Sequence, residues 1–142
     1  MGNKNFFENS INKIIQGDCL EVMRKIPDNS VDVTFADPPF NLKKKYNSYY
    51  DRHEFEKYLS WCKEWLYEMV RITKSTGSIF VHNIPKWLIP FGSYLNEIAI
   101  FRHWIAWDAM GSPLGKTLLP NHYGVLYYVK SAKDYKFYDI RM

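Results

Sequence analysis

Apolar and polar positions along the chain fall into two rhythms, and each rhythm marks a kind of element. Val31, Val33 and Phe35 alternate with Asp32, Thr34 and Ala36, which is the period of a strand. From Phe55 the spacing lengthens. Phe55, Leu59, Cys62, Leu66, Met69 and Val70 share one stripe of a helix. Asp51 with Glu54 has the pattern of its capping box, and the "STG" at residues 75–77 reads as its end. Earlier, "INKIIQG" predicts a short strand over Lys13–Gln16. Asp18 with Glu21 three residues later then predicts a helix start, and Leu20, Met23 and Ile26 form that helix's apolar side. "SIFVHN" is expected as a third strand. "PKWLIPFGSYLNEI" is expected to be helical only in its second half, because Pro90 suits a first turn and not a helix interior. "FRHWIAWDAM" and "HYGVLYYVK" are strands, and with no helical pattern between them they are expected to pair antiparallel across the long loop "GSPLGKTLLPN".

Strands and helices thus alternate until the final two strands. Such an order predicts an α/β fold with a mostly parallel sheet, helices on its faces and an antiparallel hairpin at the end. In sheets of this kind ligands bind beyond the carboxyl ends of the strands. Asp37 and Pro38 lie at one such end and Asp18 at another, so two acids are expected on one rim.

Composition narrows the class. At 142 residues and 46% hydrophobic, the chain is expected to be a single domain over 1–142 with a packed core. Aromatics make up 18%, enough for some rings to face a ligand. A net charge of +4 fits a nucleic-acid partner without requiring one. Cys19 and Cys62 form no CxxC pair, and the four histidines lack metal-site spacing, so no metal is expected. The start "MGNKNFFENS" has no signal-peptide core, and no apolar run is long enough to span a bilayer. A cytoplasmic protein with reduced thiols is the expectation.

The chemistry concentrates where the first secure strand runs into "DPPFN". Asp37 precedes a proline and is pushed to extended backbone. Pro38 and Pro39 have fixed φ and no N–H, so the turn offers acceptors alone: a carboxylate and bare carbonyls. Phe40 adds a flat apolar face. Such a turn suits a planar group that donates two hydrogen bonds, as the exocyclic amine of a nucleobase does. Two fixed acceptors favour a more tetrahedral nitrogen and stabilise the positive charge that grows on it as it takes a methyl group. A base inside a duplex is out of reach and must be flipped out, with Phe40 to stack on it. A rigid turn without chemistry is the competing reading of the tripeptide alone.

The stretch "GDCLEVMRKIPDNSVDVTFADPPFN" resembles the start of amino-methylating DNA methyltransferases, whose catalytic motif is D/N/S-P-P-Y/F/W. "GSIFVHN", "WIAWDAMGSPLGK" and "NHYGVLYYVK" resemble later strands of the same region, so the likeness covers nearly the whole chain. It is greatest to the permuted β group, in which this motif comes early and a glycine-rich cofactor motif late. The resemblance implies a Rossmann-like sheet, S-adenosylmethionine as cofactor, double-stranded DNA as partner and transfer to adenine N6. It implies that the Asp37 side chain and the Pro38 carbonyl accept from the target amine, that Pro39 sets the turn and that Phe40 stacks on the base. Asp18 and Cys19, with Asp37, would line the cofactor pocket; Asp18 as a plain helix cap is the alternative. Aspartate at the first motif position favours adenine within this resemblance. Cytosine N4 and a catalytically silent nucleic-acid-binding piece are the alternatives.

Two features qualify the likeness. "GSPLGKT" is one residue short of a P-loop and is followed by "LLPN", where a phosphate cradle needs a helix. The glycine-rich motif is missing: none of the seven glycines forms GxG. The chain is therefore expected to be the N-terminal part of a longer enzyme, either a cut piece or half of a split one. Its sheet would be incomplete, its partner a missing C-terminal half or a second copy, and its own cofactor binding and activity weak or absent. In the loop "NLKKKYNSYYD", Lys43, Lys44 and Lys45 are candidates to meet DNA phosphates, with a solvated loop as the alternative.

Overall fold

The computed structural model describes residues 4–42, 45–46, 49–50, 53–108 and 122–138. Helix α1 (Lys4–Ser10) opens the chain, where no element was expected, and buries none of its residues. Helix α2 (Cys19–Lys25) follows. Then come strands β1 (Val31–Ala36), β2 (Lys45–Tyr46) and β3 (Tyr49–Tyr50). The remainder is helix α3 (Phe55–Ile72), strand β4 (Thr73–Asn83), helix α4 (Pro85–Ile98) and strands β5 (Ile100–Asp108) and β6 (His122–Val129).

The main sheet has the order β1-β4-β6-β5, and β2 and β3 make a separate antiparallel pair. β1 and β4 run parallel, and β5 and β6 form the expected antiparallel hairpin. β6 also inserts beside β4, antiparallel to it, so the parallel part of the described sheet is the β1–β4 pair. The α/β class stands as read, with the hairpin at one end of the described sheet as expected, its β6 strand joining β4 so that the strand pairings are a mix of parallel and antiparallel.

The core lies on one face. Tyr58, Cys62, Trp65, Leu66 and Met69 of α3 and Trp87, Leu88, Phe91 and Leu95 of α4 pack on Ile79, Val81, Leu126 and Tyr128 of the sheet. The opposite face carries Val33, Phe35, Phe80, His82, Tyr127, Ile105 and Trp107, as strand alternation and the register require. There Phe80 stacks on Tyr127, with centroids 4.8 Å apart.

Three expectations change. Residues 13–16 are not a strand: a strand needs a ladder partner, none of the described residues supplies one, and Ile14 is fully exposed. "STG" does not stop α3. That helix ends at Ile72, where the Thr73 N–H and its Oγ1 both donate to the Met69 carbonyl, and β4 starts at once. Gly77 instead lies inside β4, where an added Cβ would sit 2.6 Å from the Asp32 carbonyl oxygen of β1. Its role is close strand approach beside the register shift between Val31 and Val33. Gly77→Ala is expected to cost about 1–3 kcal/mol through this backbone clash, read as a lower urea midpoint. Finally, α4 is helical throughout, with Pro85 in its first turn and Pro90 inside. Burial of Trp87, Leu88, Phe91 and Leu95 on both sides of Pro90 outweighs a penalty of about 3 kcal/mol.

Candidate active site

The rim formed by the ends of β1 and β4 and the start of α2 brings the candidate residues together. A cavity of about 490 Å³ opens there, lined by Asp18 and Cys19 on one side, Asp37, Pro38 and Pro39 on the other, and Trp61, Trp65 and Met69 of α3 below. The expectation of two acids on one rim is met. Asp18 caps α2, its Oδ1 accepting from the N–H groups of Leu20 (2.9 Å) and Glu21 (3.2 Å). Capping and cavity lining therefore coexist in one side chain. Arg71 ties α2 to α3, donating to the Met23 and Ile26 carbonyls while its guanidinium pairs with Glu68 and Asp28.

Cys19 sits at the start of α2, its thiol pushed up by burial first and by the Asp18 charge second. Cys62 is buried beneath and is pushed up to about 12 by burial. Both thiols stay protonated near neutrality, which makes Cys19 a lining group rather than a nucleophile.

The turn after β1 is fastened at Pro39, Phe40 and Asn41. The Pro39 carbonyl accepts from the Tyr58 hydroxyl of α3, and the Phe40 carbonyl accepts from Trp87 Nε1 of α4 at 2.8 Å. Asn41 adopts φ 52°, a left-handed conformation that asparagine tolerates well. Its side chain brackets His53, accepting from the His53 N–H (2.8 Å) and donating to the His53 carbonyl (3.0 Å). This explains the amide after the aromatic: Asn41 turns the chain away and pins it to the segment before α3. The Pro38 carbonyl, between these fastenings and Asp37, has no donor among the described residues.

The Asp37 side chain is 59% exposed, and its Oδ1 lies 2.8 Å from His82 Nδ1. Phe40 is half-buried, with its ring centroid 5.6 Å from His82 and 5.7 Å from Tyr123. Asp37 thus remains exposed beside a hollow, with Phe40 packed against the His82 and Tyr123 rings.

Lys43 and Lys44 lie outside the described residues, as does the side chain of Lys45 and the loop carrying "GSPLGKT". Among the described residues no cluster of histidine, cysteine and acidic groups could hold a metal ion, and no helix is long and apolar enough to cross a membrane. Tyr58, Trp87, Asn41 and His82 were not singled out from sequence. For His82 a signal existed: "SIFVHN" ends at the same rim as "TFAD", and residues two apart share a strand face.

An acceptor-only turn thus stands at a strand end, beside a cavity that a second acid also lines. Residues 31–142 match the DNA methylase family of N6 and N4 methyltransferases, and the chain belongs to that family. It is 43% identical over 136 residues to the type II methyltransferase M.BamHI of Bacillus amyloliquefaciens, covering 94% of this chain and 32% of that protein. It is 31% identical over 138 residues to the DNA adenine methyltransferase YhdJ of Escherichia coli K12, covering 92% of this chain and 45% of that protein. The chain therefore spans less than half the length of these relatives. The structure of TTHA0409 from Thermus thermophilus, complexed with S-adenosyl-L-methionine, shares the fold with a TM-score of 0.64 at 16% identity, covering 87% of this chain and 57% of that one.

Proposed function

We propose that this chain carries the catalytic turn of a DNA adenine-N6 methyltransferase, with S-adenosylmethionine as methyl donor and an extruded base of duplex DNA as acceptor. The observation that carries the reading is the shared wall: Asp37, Pro38 and Pro39 line the same cavity as Asp18. The residues present suit the cofactor. Asp18 offers a carboxylate to an adenine amine, Cys19 supplies backbone and packing, and Asp37 closes the far side, while Trp61, Trp65 and Met69 give an apolar floor. When bound, the cofactor supplies a methyl group on a positively charged sulfur.

The chain's own residues then do the following. The Asp37 carboxylate and the Pro38 carbonyl accept the two N–H bonds of the target amine, drawing its nitrogen toward tetrahedral geometry. The two acceptors would stabilise the positive charge that the nitrogen gains on taking a methyl group, and their fixed alignment would require no reorganisation. Asp37 is the group placed to take the proton the nitrogen must then release. Pro39 keeps the turn rigid, and Phe40 stacks on the base, contributing about 1–3 kcal/mol. Lys43, Lys44 and Lys45, directly after the turn, meet the phosphates of the strand from which the base is drawn.

Labelled methyl transfer to duplex DNA, followed by nucleoside chromatography, tests the reading: N6-methyladenine is expected. N4-methylcytosine would establish the second reading, which the family's two substrates keep open. We further propose that the glycine-rich cofactor loop comes from a complementary segment or subunit, because none of the 142 residues forms GxG. Isothermal titration of the 142-residue chain with S-adenosylmethionine is expected to show little binding, and micromolar affinity would refute the need for a complement.

A further inference from the structure

We infer that His82 is a positioning residue that holds the Asp37 carboxylate in one rotamer, an assignment that takes the proposed methyl-transfer role of Asp37 as its setting. Asp37 leads into two prolines, so its backbone is fixed while its side chain, more than half exposed, has only its own two torsions left to sample. A carboxylate turning in solvent presents its acceptor in several directions. Here His82 Nδ1 stands 2.8 Å from Oδ1, which occupies one oxygen and leaves Oδ2 to face a ligand.

The imidazole is itself fixed. It sits edge-on to Phe40, at 5.6 Å and 62°, and edge-on to Tyr123, at 5.4 Å and 67°. His82 has 20% of its side chain exposed. The ring that would stack on the base is therefore one of the two that aim the histidine at the acid. An ionised carboxylate accepts only, so Nδ1 carries the proton in this contact, whether the ring is neutral or charged. Parallel pairing makes the contact possible: Phe35 is opposite Phe80, and two residues further on Asp37 and His82 occupy the same face.

Two substitutions separate the hydrogen bond from the ring. His82→Phe keeps a ring against Phe40 and Tyr123 and removes the donor. His82→Asn removes the ring and keeps a donor near the position of Nδ1. Three-bond couplings to the Asp37 β-protons, measured by NMR on the 142-residue chain, read the side-chain rotamer without any requirement for activity. A single rotamer is expected in the unmodified chain and in His82→Asn, and rotamer averaging in His82→Phe. Averaging in the unmodified chain, a single rotamer in His82→Phe, or averaging in His82→Asn would each overturn the assignment. In an assembly competent for methyl transfer, His82→Phe is expected to lower kcat about ten-fold, the equivalent of one aligned hydrogen bond, with KM for DNA and cofactor within about two-fold. His82→Asn should recover most of that loss. If the couplings behave as expected and no assembly transfers methyl groups, the methyltransferase reading fails and the positioning contact stands.

Discussion

Asp37→Ala is expected to lower methyl transfer by on the order of 10³-fold, about 4 kcal/mol of transition-state stabilisation, while leaving the fold intact. The magnitude follows from what the side chain does. It supplies one of two acceptors for an amine that is a poor nucleophile, and it is the charged one. Fold retention follows from its exposure. It is 59% exposed and among the described residues bonds only to His82, so its removal opens no core cavity and should move stability by less than about 0.5 kcal/mol. Asp37→Asn is the sharper variant, since it keeps the shape and one oxygen but gives up the charge and adds a competing donor. Single-turnover transfer of labelled methyl, measured alongside thermal melting, checks both halves. Unchanged transfer in Asp37→Ala would remove the acid from the chemistry.

Trp87→Ala has the largest expected effect on stability. Trp87 is fully buried and packs on Tyr58 at 4.5 Å, Phe55 at 5.1 Å and Phe91 at 6.5 Å between ring centroids. Truncating it removes an indole from the junction of α3 and α4, at a cost of about 3–5 kcal/mol. That is a large share of the stability of an ordinary domain. The substitution also strips the Phe40 carbonyl of its donor. Trp87→Phe separates the two losses. It keeps most of the apolar volume and leaves the carbonyl unsatisfied, at about 1–3 kcal/mol. Urea unfolding of both variants gives the ordering, with Ala well below Phe and Phe below the unmodified chain. A further reading is available from Phe: methyl transfer should fall more than stability alone accounts for, because the turn after β1 has lost a fastening.

Much of this architecture was legible from residue order. The alternation from Val31 to Phe35 marked β1, the stripe from Phe55 to Val70 marked α3, and the lack of a helical pattern between the last two strands marked their antiparallel pairing. "DPPF" stood out because two prolines after a strand serve no regular structure. What escaped the sequence depended on contacts between distant residues. Pro90 argues locally against a continuous helix, and only burial of the α4 face against the sheet reverses that. Gly77 looks like a helix terminator until β1 lies against it. Residues 13–16 have strand composition but no neighbour to pair with. Tyr58 and Trp87 each fit their helix's apolar face, and nothing in spacing alone says that one hydroxyl and one indole N–H will reach a turn 19 and 47 residues away.

The turn from Asp37 to Phe40 is gripped from both layers of the molecule. His82 reaches Asp37 from the open face of the sheet, while Tyr58 and Trp87 reach Pro39 and Phe40 from the helical layer. The tetrapeptide therefore works as a gauge block between two jaws. Sliding either layer against the other would shift the acid relative to the aromatic ring, and with it the angle at which an amine is presented. Alignment of the reacting atoms is in this way tied to the mechanical integrity of the entire domain.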